Sequence, residues 1–242
     1  MKKLAWTAAA ALAGVTMSAS VAVAAITTNV TTGSLSTVKA AEAAFLSGLS
    51  VPTATEDFEG FTADQNAPLT QISTAVGTFR DITPSTNTPT DGLLVLDSGT
   101  TPFSGRRNTT SGGANWLDSN DSKKVKWVLD LAFQTFDIGF ILSDFSDVSA
   151  TMRVRFRDGT NIDTNILPGS GGSNSNGSLA FVESSFTQAA TSVTFLVDSN
   201  NDGWGIDDVT VSAVPLPAGI ALMGLGLAGF GGARVMQKRR KA

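Results

Sequence analysis

The chain has 242 residues, of which 17 are basic and 21 acidic, and it contains no His, Cys or Tyr. This composition excludes catalytic sites built on Ser-His-Asp or Cys-His, zinc sites that need His or Cys, and disulfide bonds. Seven basic residues lie at the two ends and all acidic residues lie between them, so the middle carries a net charge of −11. We expect no nucleic-acid partner for so acidic a body.

Residues 1–24 have the three parts of a secretory signal peptide. Lys2 and Lys3 form a short basic region, and an apolar, Ala-rich run follows to about Ala25. Ala22-Val23-Ala24 then offers the small residues that a signal peptidase reads, with the next triplet as an alternative. This order predicts cleavage and export, and an uncleaved membrane anchor is the alternative.

Residues 25–52 are expected to form an N-terminal segment with one short helix. Between residues 36 and 49, apolar residues recur at helical spacing, namely Val38, Ala41, Phe45 and Leu49. Thr37 is the predicted N-cap, and Gly48 lies near the predicted end.

Residues 53–213 are expected to form one antiparallel β-sandwich or jelly roll. Short runs rich in Val, Ile, Phe and Thr alternate there with turn residues, which is typical of strands. The predicted strands are Thr74–Phe79, Leu93–Leu96, Lys124–Leu131, Asp137–Leu142, Ala150–Arg157, Ile162–Leu167, Leu179–Val182, Ser192–Val197 and Asp207–Ser212. Asp158-Gly159 predicts a hairpin turn after the fifth of them.

The last segment, 214–242, is a second apolar stretch. No charged residue occurs from 209 to 233, and a basic cluster formed by Arg234, Lys238, Arg239, Arg240 and Lys241 follows. About 20 apolar residues are enough to cross a bilayer, and the basic cluster would stay on the cytoplasmic side. The pattern therefore predicts a transmembrane helix.

This tail resembles a known sorting signal. Val214-Pro215-Leu216-Pro217-Ala218, an apolar span and a terminal basic cluster together resemble the VPLPA variant of the PEP-CTERM signal of Gram-negative surface proteins. The departure is Val235-Met236-Gln237, where an unbroken Arg run is usual. The resemblance implies export through the inner membrane, transient anchoring there, and processing by an exosortase-type enzyme. The mature protein would then lie in the periplasm, on the cell surface or outside the cell. A plain C-terminal anchor is the alternative.

The order of short motifs in the body also resembles that of PEP-CTERM surface proteins. These motifs are Glu56–Phe61, Ile138–Phe140, Ser143–Asp147, Arg157–Thr160 and Gly203–Val209. The resemblance implies a surface location and a β-rich fold, and it implies no particular activity.

Residues 198–203 match the first half of a calcium-binding loop. Asp198, Asn200 and Asp202 place oxygen atoms at alternate positions, and Gly203 permits a sharp turn. The twelfth position, which is Glu in an EF-hand, is Val209, so the loop is not an EF-hand. The neighbouring carboxylates Asp207 and Asp208 are further candidate ligands. A structural calcium ion is one hypothesis, and an ordinary polar turn is the other.

A second resemblance leads to the same ion. Phe58-Glu59 and Asp207-Asp208 resemble the first- and last-strand acids of jelly-roll carbohydrate-binding modules, which often share a structural calcium. The resemblance implies Glu59 and Asp208 as ligands, with Asp57 or Asp207 beside them. Solvated strand-end residues are the alternative.

Two sets of side chains are candidates for ligand binding. Period-2 alternation places Arg153, Arg155 and Arg157 on one strand face, opposite three apolar residues. This stripe suits an anionic polysaccharide, and a solvated face paired with acidic neighbours is the alternative. Trp116 and Trp204 are candidates for stacking on sugar rings, and packing in the core or at its rim is the alternative.

The sequence contains neither the G-x-S-x-G motif nor the G-x-x-x-x-G-K-[ST] phosphate loop, and we expect no catalytic residues. The leading hypothesis is a non-enzymatic, exported protein of the cell surface or extracellular matrix, whose body binds exopolysaccharide. One alternative is a secreted carbohydrate-active hydrolase that uses a carboxylate pair. Another is a purely structural or adhesive surface protein without a small ligand.

Overall fold

The computed structural model describes residues 23–51, 53–83, 92–120, 122, 124–145, 148–168, 176–199 and 203–213. These residues form one helix and eleven strands. In chain order they are β1 Ile26–Gly33, α1 Leu35–Gly48, β2 Thr53–Glu56, β3 Gln71–Thr74, β4 Gly77–Asp81, β5 Leu94–Leu96, β6 Trp116–Asp118, β7 Lys124–Ser143, β8 Val148–Phe156, β9 Asn161–Pro168, β10 Leu179–Ser199 and β11 Gly205–Ala213.

The long strands β7 and β10 organise the fold. They pair antiparallel, and their register shifts between Ser185 and Ser192. On one side of this irregularity, β1, β10, β7 and β11 form sheet A, which β2, β6 and β5 extend. On the other side, β9, β8, β10, β7, β4 and β3 form sheet B. The same two strands therefore belong to both sheets, as in sandwiches whose strands switch sheets at bulges.

The inner faces of the two sheets meet in one aromatic core. Phe140 of sheet A and Phe195 of sheet B contact edge to face, with ring centroids 5.3 Å apart. Trp204, just before β11, packs against Trp127 of sheet B with centroids 4.7 Å apart. Phe79 of β4 stacks on Phe195 in the same layer. These contacts confirm the predicted antiparallel β-sandwich.

Several predicted strands have different limits in the structure. The single strand β7 contains the predicted strands Lys124–Leu131 and Asp137–Leu142. The single strand β10 contains Leu179–Val182 and Ser192–Val197. The predicted strand Thr74–Phe79 is wrong, because a turn at Ala75-Val76 separates β3 from β4. Val76 in this turn is fully buried, which accounts for an apolar residue at a turn position. Gly77 follows with φ of 143°, which favours glycine. The short strands β1, β2 and β6 have no counterpart in the prediction.

The predicted helix is confirmed, but its N-cap is Ser34 rather than Thr37. The Ser34 hydroxyl accepts a hydrogen bond from the Thr37 amide, which satisfies one free donor of the first turn. The helix packs on the outer face of sheet A, where Val38 is buried with Ile141 and Phe181.

Several predictions concern residues that lie outside the described ranges. These are the signal segment up to residue 22, the motif Val214–Ala218 with the tail that follows it, and the loop residues Asn200 and Asp202. Among the described residues, no helix is long and apolar enough to cross a membrane.

Candidate functional site

The outer face of sheet B carries exposed basic side chains. Met152, Val154 and Phe156 of β8 point into the core, so the intervening Arg153 and Arg155 face outward. The cross-strand register places Arg153, Thr194, Val128 and Arg80 in one row over β8, β10, β7 and β4. The basic residues on this face or at its end are Arg80, Lys126, Arg153, Arg155 and Arg157. We call this surface the arginine face.

Two arginines of this face have acidic partners. Arg153 holds Asp163 of β9 in a bidentate pair, with distances of 2.7 and 2.8 Å. This hydrogen bonding lowers the pKa of Asp163. Arg80 binds Asp130 at 2.6 Å. Arg153 thus has the acidic partner on the next strand that the alternative interpretation, a solvated face, predicts. Arg155 is exposed, and Arg157 reaches Gln134 at 3.5 Å.

Trp116 and Trp204 do not lie on an accessible surface. They are 1% and 2% exposed, respectively. The Trp116 indole donates to Asp118, and Trp204 packs against Trp127 and Phe195. The structure therefore favours the core-packing alternative, because buried rings cannot stack on a sugar.

The acids of the last strand are held by the loop before β6. Asp207 accepts a hydrogen bond from the Thr109 amide at 2.6 Å, and the Thr109 hydroxyl lies 2.9 Å from the same carboxylate oxygen. Asp208 accepts from the hydroxyls of Thr109 and Thr110, at 2.6 Å each. Burial and the neighbouring Asp208 carboxylate raise the pKa of Asp207 to about 8. The adjacent acids thus fasten the loop to β11.

A lysine from the helix forms an ion pair with one of these acids. The Lys39 ammonium lies 3.0 Å from Asp208 and also pairs with Glu42 on the same helix. Burial raises the pKa of Glu42, and the hydrogen bond from Lys39 opposes that effect. Lys39 therefore supplies a positive charge to Asp208, one of the candidate calcium ligands.

Glu59 is held by the same loop in a separate set of contacts. One of its carboxylate oxygens accepts hydrogen bonds from Asn108 and from the amides of Ala114 and Asn115, all within 2.9 Å. Asp198 lies at the exposed end of β10. Within the described ranges, no three acidic side chains are arranged to hold a metal ion. The described residues do not form the predicted calcium site, and the hypothesis now depends on the loop 198–203.

A buried arginine anchors the loop before β6. Sequence analysis did not single it out. Arg106 is 4% exposed and donates to Asp118 at 3.1 Å, with Asp144 3.9 Å away. Its guanidinium also lies 4.3 Å from the centre of the Phe103 ring. An Arg in a polar loop gives no sequence signal of burial, because its partners here are 12 and 38 residues away along the chain.

A groove of about 530 Å³ runs between α1 and the outer face of sheet A. Its helix side presents Ala41, Ala44 and Phe45, and its sheet side presents Asp137 and Glu183. The remaining lining residues are Thr31, Gly48, Leu49 and Ser185. Sequence analysis missed this site, because it forms only when the helix docks across three strands that are distant in the chain.

The two carboxylates of the groove lie on neighbouring strands. Asp137 pairs in register with Ser185, two residues from Glu183. Such diagonal neighbours have Cα atoms roughly 7–8 Å apart. The Ser212 hydroxyl donates to Asp137 at 2.8 Å, and the Asn29 amide donates to Glu183 at 3.1 Å. Both side chains are only partly buried, and each retains acceptor capacity toward the groove.

Comparisons with known proteins give only weak likenesses. No family model and no curated protein matches the chain. The K2 cleaved adhesin domain of Lys-gingipain is 15% identical with a TM-score of 0.42, over 66% of this chain and 99% of that one. A family 11 carbohydrate-binding module of Lic26A-Cel5E from Clostridium thermocellum is 11% identical with a TM-score of 0.37, over 69% and 97%. The CBM22-1 xylan-binding domain of Xyn10C from Paenibacillus barcinonensis is 10% identical with a TM-score of 0.34, over 63% and 94%. With TM-scores below 0.5, these likenesses assign neither a family nor a ligand to this chain.

Proposed function

We propose that this protein is an exported, non-enzymatic surface protein whose body binds anionic polysaccharide through the arginine face. The observation that carries the proposal is the concentration of basic side chains on one sheet face of an acidic protein. Five of the ten basic residues between positions 4 and 233 lie on this face or at its end. Guanidinium groups pair well with the carboxylates and sulfates that such polymers carry.

The spacing of the arginines suits an extended polymer. Arg153 and Arg155 lie two residues apart on β8, which corresponds to roughly 6.8 Å along the strand. Arg80 lies three strands from Arg153, at roughly 14 Å. The hydroxyls of Ser192 and Thr194 lie on β10, beside the two arginines of β8. A chain laid across the strands along this row would meet Arg153, Thr194, Val128 and Arg80 in turn.

The existing ion pairs do not close this face. Arg153 and Asp163 are both nearly half exposed, as are Arg80 and Asp130. Exposed pairs of this kind contribute about 0–1 kcal/mol, so a multivalent anion can compete for their arginines. Arg155 lies beside Arg153 and is open to solvent.

The proposal includes the route to the cell surface. Its support is the three-part signal pattern at the N-terminus and the VPLPA-type tail with its basic cluster. Signal peptidase and an exosortase-type enzyme would process the two ends. The body would then be released from the inner membrane and meet polysaccharide outside it.

A matched pair of variants tests the binding face. Arg155 and Arg107 are both exposed, but Arg107 lies in the loop that leads to β6, away from β8. We expect Arg155→Gln to weaken binding of the full chain, kept in detergent, to dextran sulfate. Arg107→Gln, which makes the same change in charge, should bind like the unaltered protein. Equal effects of the two substitutions would contradict the proposal, and neutral dextran serves as the ligand control.

A secreted glycoside hydrolase is the second candidate function. The observation that favours it is the position of Asp137 and Glu183 on one groove, since such enzymes use two carboxylates flanking the scissile bond. If this function holds, cleavage of a polysaccharide should disappear in both Asp137→Asn and Glu183→Gln. Chromatography of the products detects shortened chains directly.

A further inference from the structure

We propose that the groove between α1 and sheet A is a separate binding site for an amino-sugar unit, a hydroxyl-rich ligand that carries a cationic amine. This site lies on the opposite sheet from the arginine face and has the opposite charge. The inference is therefore independent of the proposed binding of anionic polysaccharide.

The charge of the groove favours a cation. Two carboxylates, Asp137 and Glu183, line it, and its described lining contains no basic side chain. Asp130, Asp163 and Asp208 each have a Lys or Arg partner within 3.0 Å. Asp137 and Glu183 are bound instead by the neutral donors Ser212 and Asn29. A ligand ammonium would provide the positive charge that no described neighbour supplies.

The shape of the groove favours a sugar-sized ligand. The helix presents small residues, Ala41, Ala44 and Gly48, which leave the volume between helix and sheet open. A volume near 530 Å³ falls within the range of small-molecule sites. The partly exposed Phe45 ring, held against Phe181 with centroids 5.7 Å apart, offers an apolar surface at one side. Thr31 and Ser185 add hydroxyls on the sheet side.

Cation, hydroxyl and apolar contacts thus meet in one place. An ammonium group beside Asp137 and Glu183 gains charge-assisted hydrogen bonds. The carbon-bound hydrogens of a sugar ring can pack on Phe45, and its hydroxyls can exchange hydrogen bonds with Thr31 and Ser185. A simple metal cation would use the carboxylates but not the aromatic wall.

Calorimetric titration with three matched ligands tests this inference. The probes are oligosaccharides of glucosamine, of N-acetylglucosamine and of glucose, added to the full chain at about pH 5, where most glucosamine amines are protonated and most carboxylates are ionised. We expect the glucosamine oligosaccharide to bind about tenfold or more tightly than either neutral one, the effect of one charge-assisted contact. Equal affinity for all three ligands, or no binding, would overturn the inference.

Variants locate the site and separate binding from catalysis. Asp137→Asn and Glu183→Gln should each lose the preference for the amine, whereas Asp158→Asn, in the exposed turn after β8, should keep it. Ala44→Leu keeps every charge but fills the groove, and it should weaken all binding there. Unchanged preference in these variants would place the site elsewhere. Shortened glucosamine chains after incubation would identify the groove as a hydrolase site instead, and an unchanged β-rich circular dichroism spectrum shows that each variant is folded.

Discussion

Asp207 is buried beside a second carboxylate, and its protonation should make stability depend on pH. Burial and Asp208 raise its pKa from 3.8 to about 8. The folded protein therefore binds a proton that the unfolded chain releases. The resulting stabilisation is complete below about pH 4 and is lost as the pH rises through about 8. We expect the free energy of unfolding to fall across this range, by at most about 1.4 kcal/mol per pH unit for one proton.

Urea unfolding of Asp207→Asn at several pH values checks this expectation. The variant cannot titrate at this position, so its curve of stability against pH should be flatter than that of the unaltered protein, whatever its absolute stability. Parallel curves for the two proteins would show that Asp207 is ionised in the folded state throughout the range.

Arg106 should matter for stability far more than its neighbour Arg107. Replacement of Arg106 by Met leaves Asp118 and Asp144 buried without its charge, and a broken buried ion pair typically costs about 3–5 kcal/mol. Arg107 is exposed, its guanidinium donates to the Gly177 carbonyl, and its backbone amide donates to the Ser143 hydroxyl, a bond that Met at this position would keep. We expect Arg107→Met to change the free energy of unfolding by about 0.5 kcal/mol or less. Similar losses in the two variants would contradict the assigned role of Arg106.

At the scale of elements, the position of α1 depends on a glycine in β7. A Cβ atom at Gly139 would lie 2.6 Å from the Phe45 ring and 3.0 Å from Phe181. Gly139→Ala should therefore push the helix away from sheet A, at a cost of about 1–3 kcal/mol. Gly60→Ala, where a Cβ atom meets open space, is the matched control. Hydrogen exchange of the α1 amides should rise in the first variant only, and equal exchange in both would contradict this packing.

Sequence patterns predicted elements well where local periodicity decides the structure. Alternation along Met152–Arg157 gave the faces of β8, and helical spacing gave α1 to within one or two residues. The patterns failed where contacts between residues distant in the chain determine the structure. The region 132–136 lacks a strand pattern, yet β7 continues through it and belongs to both sheets. The turn at Ala75-Val76 contains none of the residues typical of turns. Val76 is buried in the core instead, so the sequence gives no sign of a turn there.

The candidate sites also differ in how far local sequence patterns predict them. Alternation within one strand predicts the outward arginines of β8. The alignment of Arg153 with Arg80 depends on the register of four strands, which the sequence does not show. Sequence analysis identifies Asp207 and Asp208 as candidate calcium ligands, but it does not show that Thr109, 98 residues before Asp207, and Lys39 are their partners in the fold. The groove has no sequence signature, because Asp137 and Glu183 are brought together only by the pairing of β7 with β10.

At the scale of the whole molecule, the export hypothesis predicts a shorter mature chain. Intact-mass measurement of the native protein outside the cell should give a product that lacks the first 24 or so residues and the basic C-terminus. The two ends are processed by different enzymes, so the measurement reports on each separately. Recovery of the full 242-residue chain from outside the cell would contradict both processing steps.

The segregation of charge between the two sheets is the basis of the functional proposal. The arginine face is locally basic although residues 4–233 carry a net charge of −11, and the groove on the other sheet is acidic. Binding that depends on exposed charge pairs is screened by salt. Anionic polymers at the arginine face should therefore bind less tightly as ionic strength rises, while neutral polymers should show little such dependence.

The most direct test of the central claim is the salt dependence of binding to the polysaccharide of the cells that produce this protein. We predict that affinity falls steeply with salt for the unaltered chain. In the variant with Arg153→Gln, Arg155→Gln and Arg157→Gln, binding should be weaker and its salt dependence flatter. The same affinity and the same salt dependence in both proteins would contradict the proposal and leave the arginine face as a solvated surface.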